Sequence, residues 1–350
     1  MYFNMSKYQE NERNRMIELV KSNSIFYGGK YGILIKRNGG EKLHKEILLD
    51  EQNNIYKPIL SDVLKYFKDN KISWWGGYKP TGHTLSSQIA CLNHLFSIKN
   101  DKNAVLAVVQ SICADFTDVL ELDNDTDSTK AFISFEVVSK NDYLNECKDK
   151  QTPTRGANCT SIDALILAKN KDGKKFLLPI EWKYTEFYNS TDKSTEDGKD
   201  HEKGSQASGK ERLRRYSELI KNSEQLSLKR ENYISSVYFF EPFYQLMRQT
   251  LWTEQMIANP VSEKIQADDF IHIHVIPKQN HDLLKDDLDK NRRRKGYTNG
   301  AQIGCLEEIW KSCLINKNKY KVISPEELLQ NIDKQKYSDL LTYLQTRYWQ

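Results

Sequence analysis

The first third of the chain carries apolar residues mainly at helical spacing. This pattern predicts helices over residues 7–22 and 60–69, with a short β-like stretch at 31–35 between them. Another helix is expected from residue 85, and the strongly apolar residues 105–119 are expected to continue as helix. The apolar stripe that predicts the helix from residue 85 is formed by Ile89, Leu92, Leu95 and Phe96.

The middle of the chain has the composition of a β-sheet. Residues 132–138 are β-branched and aromatic, and two apolar runs, 164–168 and 176–180, flank a turn at 171–174. The elements predicted after them are helix 210–222, strand 233–240, helix 243–257, strand 270–276, a helix near 302–314, strand 320–323 and two C-terminal helices. The central order of helix, three strands, helix and strand indicates an α/β fold with a mixed sheet.

Composition narrows the class of protein. The chain has 350 residues, 38% of them hydrophobic and 29% charged, which suits one large domain or two modest ones. We find neither an apolar run of the roughly 18–20 residues that a membrane span needs nor an N-terminal secretory signal, so a cytoplasmic location is expected. Six cysteines without a Cys-x-x-Cys pair argue against structural zinc. The net charge of +4 permits a nucleic-acid partner without indicating one.

Charged residues stand at the ends of the two central apolar runs. Asp163 opens the first run, and Glu181 and Lys183 follow the second with Trp182 between them. Alternate residues of a strand share a face, so Glu181 and Lys183 are predicted to point the same way. If the two runs pair through the turn, Asp163 lies near Glu181. Two such carboxylates are suitable ligands for Mg²⁺ or Mn²⁺.

This group of residues suits phosphodiester hydrolysis. A metal there would polarise the phosphate and activate water, and Lys183 could position that water or offset developing negative charge. The alternative interpretation is that Glu181 and Lys183 are ordinary surface residues, because acid-x-Lys is a common surface pattern. An unpaired charge beside apolar strands is costly, and this favours a functional site.

The arrangement of Asp163 and Glu181-Trp182-Lys183 resembles the PD-(D/E)xK nuclease superfamily, with Ile162 in place of the usual proline. The resemblance covers about residues 85–240. The segments that resemble a group of bacterial restriction-endonuclease-like proteins are 86–88, 155–158, 161–163 and 244–249. The resemblance implies a restriction-endonuclease-like α/β core at 85–280. An N-terminal extension at 1–84, of unknown role, would precede this core, and a mostly helical C-terminal extension at 281–350 would follow it.

The resemblance also implies roles for individual residues. Asp163 and Glu181 become metal ligands, the backbone carbonyl of Trp182 completes the coordination, and Lys183 is the catalytic lysine. Glu136 is the candidate for a further acid, and its alternative is an edge-strand acid that points to solvent. The expected cofactor is Mg²⁺, with Mn²⁺ as a substitute.

Nucleic-acid contacts are expected beside the acids and on the helix that follows them. The candidates are Gln88, Arg155, Asn158, Arg212, Arg215 and Tyr216. Gln88 could reach the substrate or instead make a hydrogen bond between helices. Arg155 is a candidate phosphate clamp, and the helix bearing Arg212 and Arg215 has the basic face that superfamily members often place against the nucleic-acid backbone.

These features predict a Mg²⁺-dependent endonuclease that cuts DNA and serves in restriction or anti-phage defence. A homodimer would suit double-strand cutting. The first alternative is a nucleic-acid-binding module that keeps the fold with little or no turnover. The second alternative is a glycoside hydrolase that uses Asp163 and Glu181 as its acid pair. This alternative gives Lys183 no role.

Overall fold

The computed structural model describes residues 5–26, 31–37, 40–74, 77–122, 131–147, 151–156, 159–188, 192–196, 208–285 and 305–350. Its helices are α1 (Lys7–Ser22), α2 (Leu60–Asp69), α3 (Ser87–Leu95), α4 (Lys102–Ile112), α5 (Gly209–Asn222), α6 (Phe243–Ala258), α7 (Pro260–Glu263), α8 (His281–Leu284), α9 (Leu306–Ser312), α10 (Pro325–Leu328) and α11 (Ser338–Arg347). Its strands are β1 (Tyr31–Arg37), β2 (Gly40–Leu48), β3 (Phe116–Leu120), β4 (Ile133–Val137), β5 (Ile162–Asn170), β6 (Lys175–Trp182), β7 (Asp269–Phe270), β8 (His272–Val275) and β9 (Tyr320–Ile323).

The central sheet is mixed and has seven strands in the order β3-β5-β6-β8-β9, with β4 beside β5 and β7 beside β6. β5 and β6 form an antiparallel hairpin, whose turn places Gly173 at a φ of 80°, a conformation that glycine adopts without steric cost. β8 pairs parallel with β6, and β9 pairs parallel with β8. The predicted α/β fold with a central mixed sheet flanked by helices is confirmed.

Apolar clusters cover both faces of this sheet. On β6, Leu178, Ile180 and Trp182 face the cluster that includes α2, α3 and α11. Leu177 belongs to the second cluster, with α5, α6 and α9. Because side chains alternate along a strand, Glu181 is directed to the α6 side. The alternation therefore determines which helix can contact the acid.

The N-terminal extension packs directly onto this core. Met16 of α1 and Phe67 of α2 belong to the same apolar cluster as Ile166 and Ile180 of the sheet. The C-terminal extension likewise contributes β9 to the sheet. The domain boundaries at 84 and 280 stay predictions, and both extensions form part of the molecule's hydrophobic core.

Two predicted elements are wrong. Residues 105–119 do not form one helix, because α4 ends at Ile112 and β3 starts at Phe116; a short apolar run cannot be assigned to helix or strand from periodicity alone. The aromatic stretch 233–240 is irregular with a short 3-10 turn at Val237–Phe239. Its aromatic residues are buried against α6 and α9, so their density reflects burial and not strand pairing.

Among the described residues, the helices are all too short or too polar to cross a lipid bilayer.

Candidate active site

The β5–β6 hairpin brings Asp163 and Glu181 together. Ala164 pairs with Ile180, so Asp163 and Glu181 are neighbours across the two strands. The carboxylate of Asp163 accepts a hydrogen bond of 2.7 Å from the backbone N–H of Trp182. Glu181 is only 2% exposed. The predicted convergence of the two acids is present in the structure.

Lys183 lies on the same side as Glu181, as the strand alternation predicts. Its backbone N–H continues the pairing with β8 by donating to Val275. Its Nζ donates to Glu181 Oε1 at 2.5 Å and to Gln245 Oε1 at 2.8 Å, and the residue is 5% exposed. The lysine is thus fixed beside the acid by two side-chain contacts.

Glu136 adds a third carboxylate from β4. It has a φ of 49°, which is uncommon for a residue other than glycine and worth relating to function. This conformation interrupts the alternation, because Phe135 packs in one apolar cluster and Val137 in the other. Gln88 Nε2 and Ser161 Oγ donate to Glu136 at 2.7 and 3.0 Å. Glu136 therefore does not point to bulk solvent.

All these groups line one cavity of about 640 Å³. Its charged side chains are Glu136, Asp163, Glu181, Lys183, Glu186 and Arg248. Gln88, at the start of α3, lines the cavity too, and the hydrogen bond that its side chain donates to Glu136 reaches β4 and not another helix.

Negative charge is in excess near the three acids. Burial, together with the charges of Glu181 and Glu136, raises the pKa of Asp163 well above its usual value. The pKa of Glu136 is raised by burial and by Glu181. Burial alone would lower the pKa of Lys183, but Glu181 raises it above the usual value. Lys183 is therefore a cation at neutral pH, and the carboxylates could accommodate a further cation.

The donor set of the cavity fits Mg²⁺, since carboxylate oxygens are its preferred protein ligands. In the described ranges, no three acids, histidines or cysteines already converge at metal-ligand spacing. The acids are held by protein donors, with Glu181 bound by Lys183, Gln245 and Gln249. Binding an ion here requires these side chains to reorient. The Trp182 carbonyl stays a predicted ligand.

Gln245 and Gln249 were not assigned a role from the sequence. Gln245 Nε2 donates to Glu181 Oε1 at 2.6 Å, and Gln249 Nε2 donates to the other oxygen. The two glutamines are four residues apart and so lie on one face of α6. The sequence does show two glutamines at helical spacing. It does not show that they contact Glu181, which is more than sixty residues away along the chain.

Arg155 braces β4 through several hydrogen bonds. Its guanidinium donates to the carbonyls of Phe135 and Glu136, to Asn70 Oδ1 and to the hydroxyl of Tyr66. Its N–H groups are thus directed at the protein. The guanidinium, bound to backbone carbonyls, holds the unusual backbone at Glu136 in place, and its role as a phosphate clamp stays a prediction.

Replacing Arg155 by alanine is expected to lower the free energy of unfolding by about 2–4 kcal/mol, since buried acceptors and Tyr66 lose a charged partner. Chemical denaturation would measure this. Arg214→Ala, which removes an exposed arginine paired with Glu211, is the matched control and should change stability by less than about 0.5 kcal/mol. Equal stability of R155A and wild type would contradict the bracing role.

The candidate residues on α5 contact protein groups in the structure, and their nucleic-acid contacts stay predictions. Arg212 is 6% exposed and donates to Glu196 and to the carbonyl of Lys193, while the Tyr216 hydroxyl donates to Glu146 at 2.7 Å. Both side chains face inward and are committed to protein partners. Arg215 is partly buried and paired with Glu211. Asn158 lies outside the described residues.

Comparison with known proteins identifies the family of the chain. No curated protein and no solved structure matches the chain. One family, described as Restriction Endonuclease associating with ARP, matches residues 20–349. The match includes Glu136, Asp163, Glu181 and Lys183, together with most of both extensions. The chain therefore belongs to the REase-ARP family of restriction endonucleases.

Proposed function

We propose that the chain is a Mg²⁺-dependent nuclease that hydrolyses phosphodiester bonds of DNA, as an endonuclease of restriction or anti-phage type. The observation that carries the proposal is the convergence of Asp163, Glu181 and Lys183 in one cavity. Membership of a restriction-endonuclease family supports it. The proposal includes a DNA substrate and a cytoplasmic location.

The residues can divide the chemistry as follows. Asp163 and Glu181, with Glu136 beside them, would hold Mg²⁺. The bound ion would polarise the phosphate and make water a stronger nucleophile. Lys183, held protonated by Glu181, would place positive charge where negative charge develops on the phosphate. Gln245 and Gln249 would orient the Glu181 carboxylate through their amide N–H groups.

The family description names an association with ARP. We propose that this chain likewise has a protein partner of that kind. A homodimer is a second arrangement that would allow both strands of a duplex to be cut. Size measurement of the purified chain, alone and with a candidate partner, would separate the two arrangements.

Incubation with supercoiled plasmid and with RNA, each with Mg²⁺, Mn²⁺ or EDTA, tests the proposed activity. We expect nicked or linear plasmid with either metal and intact plasmid in EDTA. A circular substrate reveals endonuclease activity because an exonuclease needs a free end. Intact plasmid under every condition would contradict the proposal, and DNA binding without cleavage would favour the binding-module alternative.

A further inference from the structure

His83 is an additional side chain in the active-site cavity that the chemistry above does not use. It precedes α3 and lines the same cavity as Asp163 and Lys183. Gln9 of α1 also lines it. Both residues come from the N-terminal extension, whose role could not be assigned from the sequence. The extension therefore supplies part of the wall of the active site.

The backbone of His83 is held firmly in place. Its carbonyl accepts hydrogen bonds from Asn54 Nδ2 at 3.0 Å and from the Ser86 N–H at 3.1 Å, and its N–H donates to Thr81 Oγ1 at 3.1 Å. The preceding residue must be glycine, since a Cβ on Gly82 would lie 2.4 Å from the carbonyl oxygen of Leu48. Such fixation suits a group that must meet a substrate in one orientation.

The hydrogen bonds of the imidazole define its tautomer. The Leu85 N–H donates to His83 Nδ1 at 3.3 Å, so Nδ1 acts as an acceptor and the proton of the neutral ring resides on Nε2. Burial lowers the pKa of His83 below its usual value despite the nearby Glu46. The ring is therefore neutral at neutral pH and presents one N–H donor.

His83 is partly buried and lines the cavity. Within the ranges that the structure describes, His83 Nε2 makes no hydrogen bond to the protein. The atom is not sealed from solvent. Acidic side chains dominate the charged lining of the cavity, with Lys183 and Arg248 as its cations. The carboxylates repel a phosphodiester that enters this space, and hydrogen bonds from N–H donors would offset that repulsion.

We propose that His83 binds the substrate by donating a hydrogen bond from Nε2 to a phosphate oxygen of the cleaved strand. The inference rests on the proposed nuclease function. It assigns to the N-terminal extension a direct contact with the nucleic acid, made by a neutral donor in the wall of the cavity that the acids also line. His83 is a binding residue in this account and holds no proton that the reaction consumes.

Substitution with leucine and with glutamine separates this contact from a structural role. Leucine fills a similar volume without a donor, whereas the glutamine Nε2 can restore an N–H near the original position. His83→Leu should lower kcat/KM for plasmid cleavage by roughly 10- to 100-fold, and His83→Gln should recover most of it. His281→Leu, at an exposed histidine, should behave like wild type.

Affinity for a short fluorescein-labelled DNA duplex in EDTA provides a second measurement that does not require turnover. It should fall in H83L and recover in H83Q, while the melting temperatures of both variants stay close to wild type. Unchanged cleavage and affinity in H83L would overturn the inference, as would equal impairment of H83L and H83Q. Failure of the wild type to cleave would instead overturn the proposed function, and the affinities would still decide the role of His83.

Discussion

Replacing Lys183 by alanine is expected to lower the cleavage rate by about 10²- to 10³-fold while DNA binding is retained. Lys183 is the cation nearest to Glu181, with Nζ 2.5 Å from its carboxylate, and the raised pKa keeps it charged at neutral pH. Its removal takes away the positive charge that would stabilise the developing phosphate charge. Single-turnover cleavage with Mg²⁺ and duplex affinity in EDTA would measure the two effects separately.

Lys171 offers a matched control for this substitution. It lies in the turn of the same hairpin, is exposed, and pairs only with the exposed Asp115 in the described structure. Lys171→Ala should cleave at the wild-type rate because exposed ion pairs contribute little. K183A activity within threefold of wild type would exclude the lysine from the chemistry, and loss of folding in K183A would show that its role is structural.

Replacing Asp163 by asparagine is expected to abolish detectable metal-dependent cleavage and to raise the melting temperature in EDTA. Asparagine keeps an oxygen that can accept the Trp182 N–H, while it removes one of three mutually repelling carboxylates. Burial and the charges of Glu181 and Glu136 raise the pKa of Asp163, so they disfavour its ionised form. Mg²⁺ should stabilise the wild type and not this variant.

Thermal unfolding with and without Mg²⁺ measures this second prediction. Asp172→Asn, at an exposed position in the hairpin turn, is the control and should retain both the Mg²⁺-induced stabilisation and the cleavage. An equal Mg²⁺-induced increase in melting temperature for D163N and wild type would contradict the assignment of Asp163 as a ligand.

The part of the site that is local in sequence was predictable. Asp163, Glu181 and Lys183 lie within one hairpin, so strand alternation and a single turn suffice to bring them together. Glu136 could be proposed from its apolar surroundings, but its positive φ and its contact with Gln88 depend on how β4 meets β5 and α3. The glutamines of α6 could not be linked to Glu181 because helix periodicity does not reveal which strand a helix covers.

Charge patterns in the sequence do not show which basic residues are already paired within the fold. The basic stretch of α5 suggested a surface for phosphates, but Arg212 is buried against Glu196 and Arg215 is paired with Glu211. Sequence alone shows which residues are basic and does not show which of them have acidic partners within the fold. The proposed phosphate contact of His83 could not be predicted either, because a single histidine in a polar segment gives no periodic signal.

The central claim is that these acids form a metal centre beside Lys183. Anomalous diffraction from crystals soaked in Mn²⁺ tests it most directly. We predict a peak in the cavity within coordination distance of oxygens from Asp163 and Glu181 in the wild type, and no such peak in D163N. Absence of a peak from this cavity in the wild type, or its presence only at another site, would contradict the account.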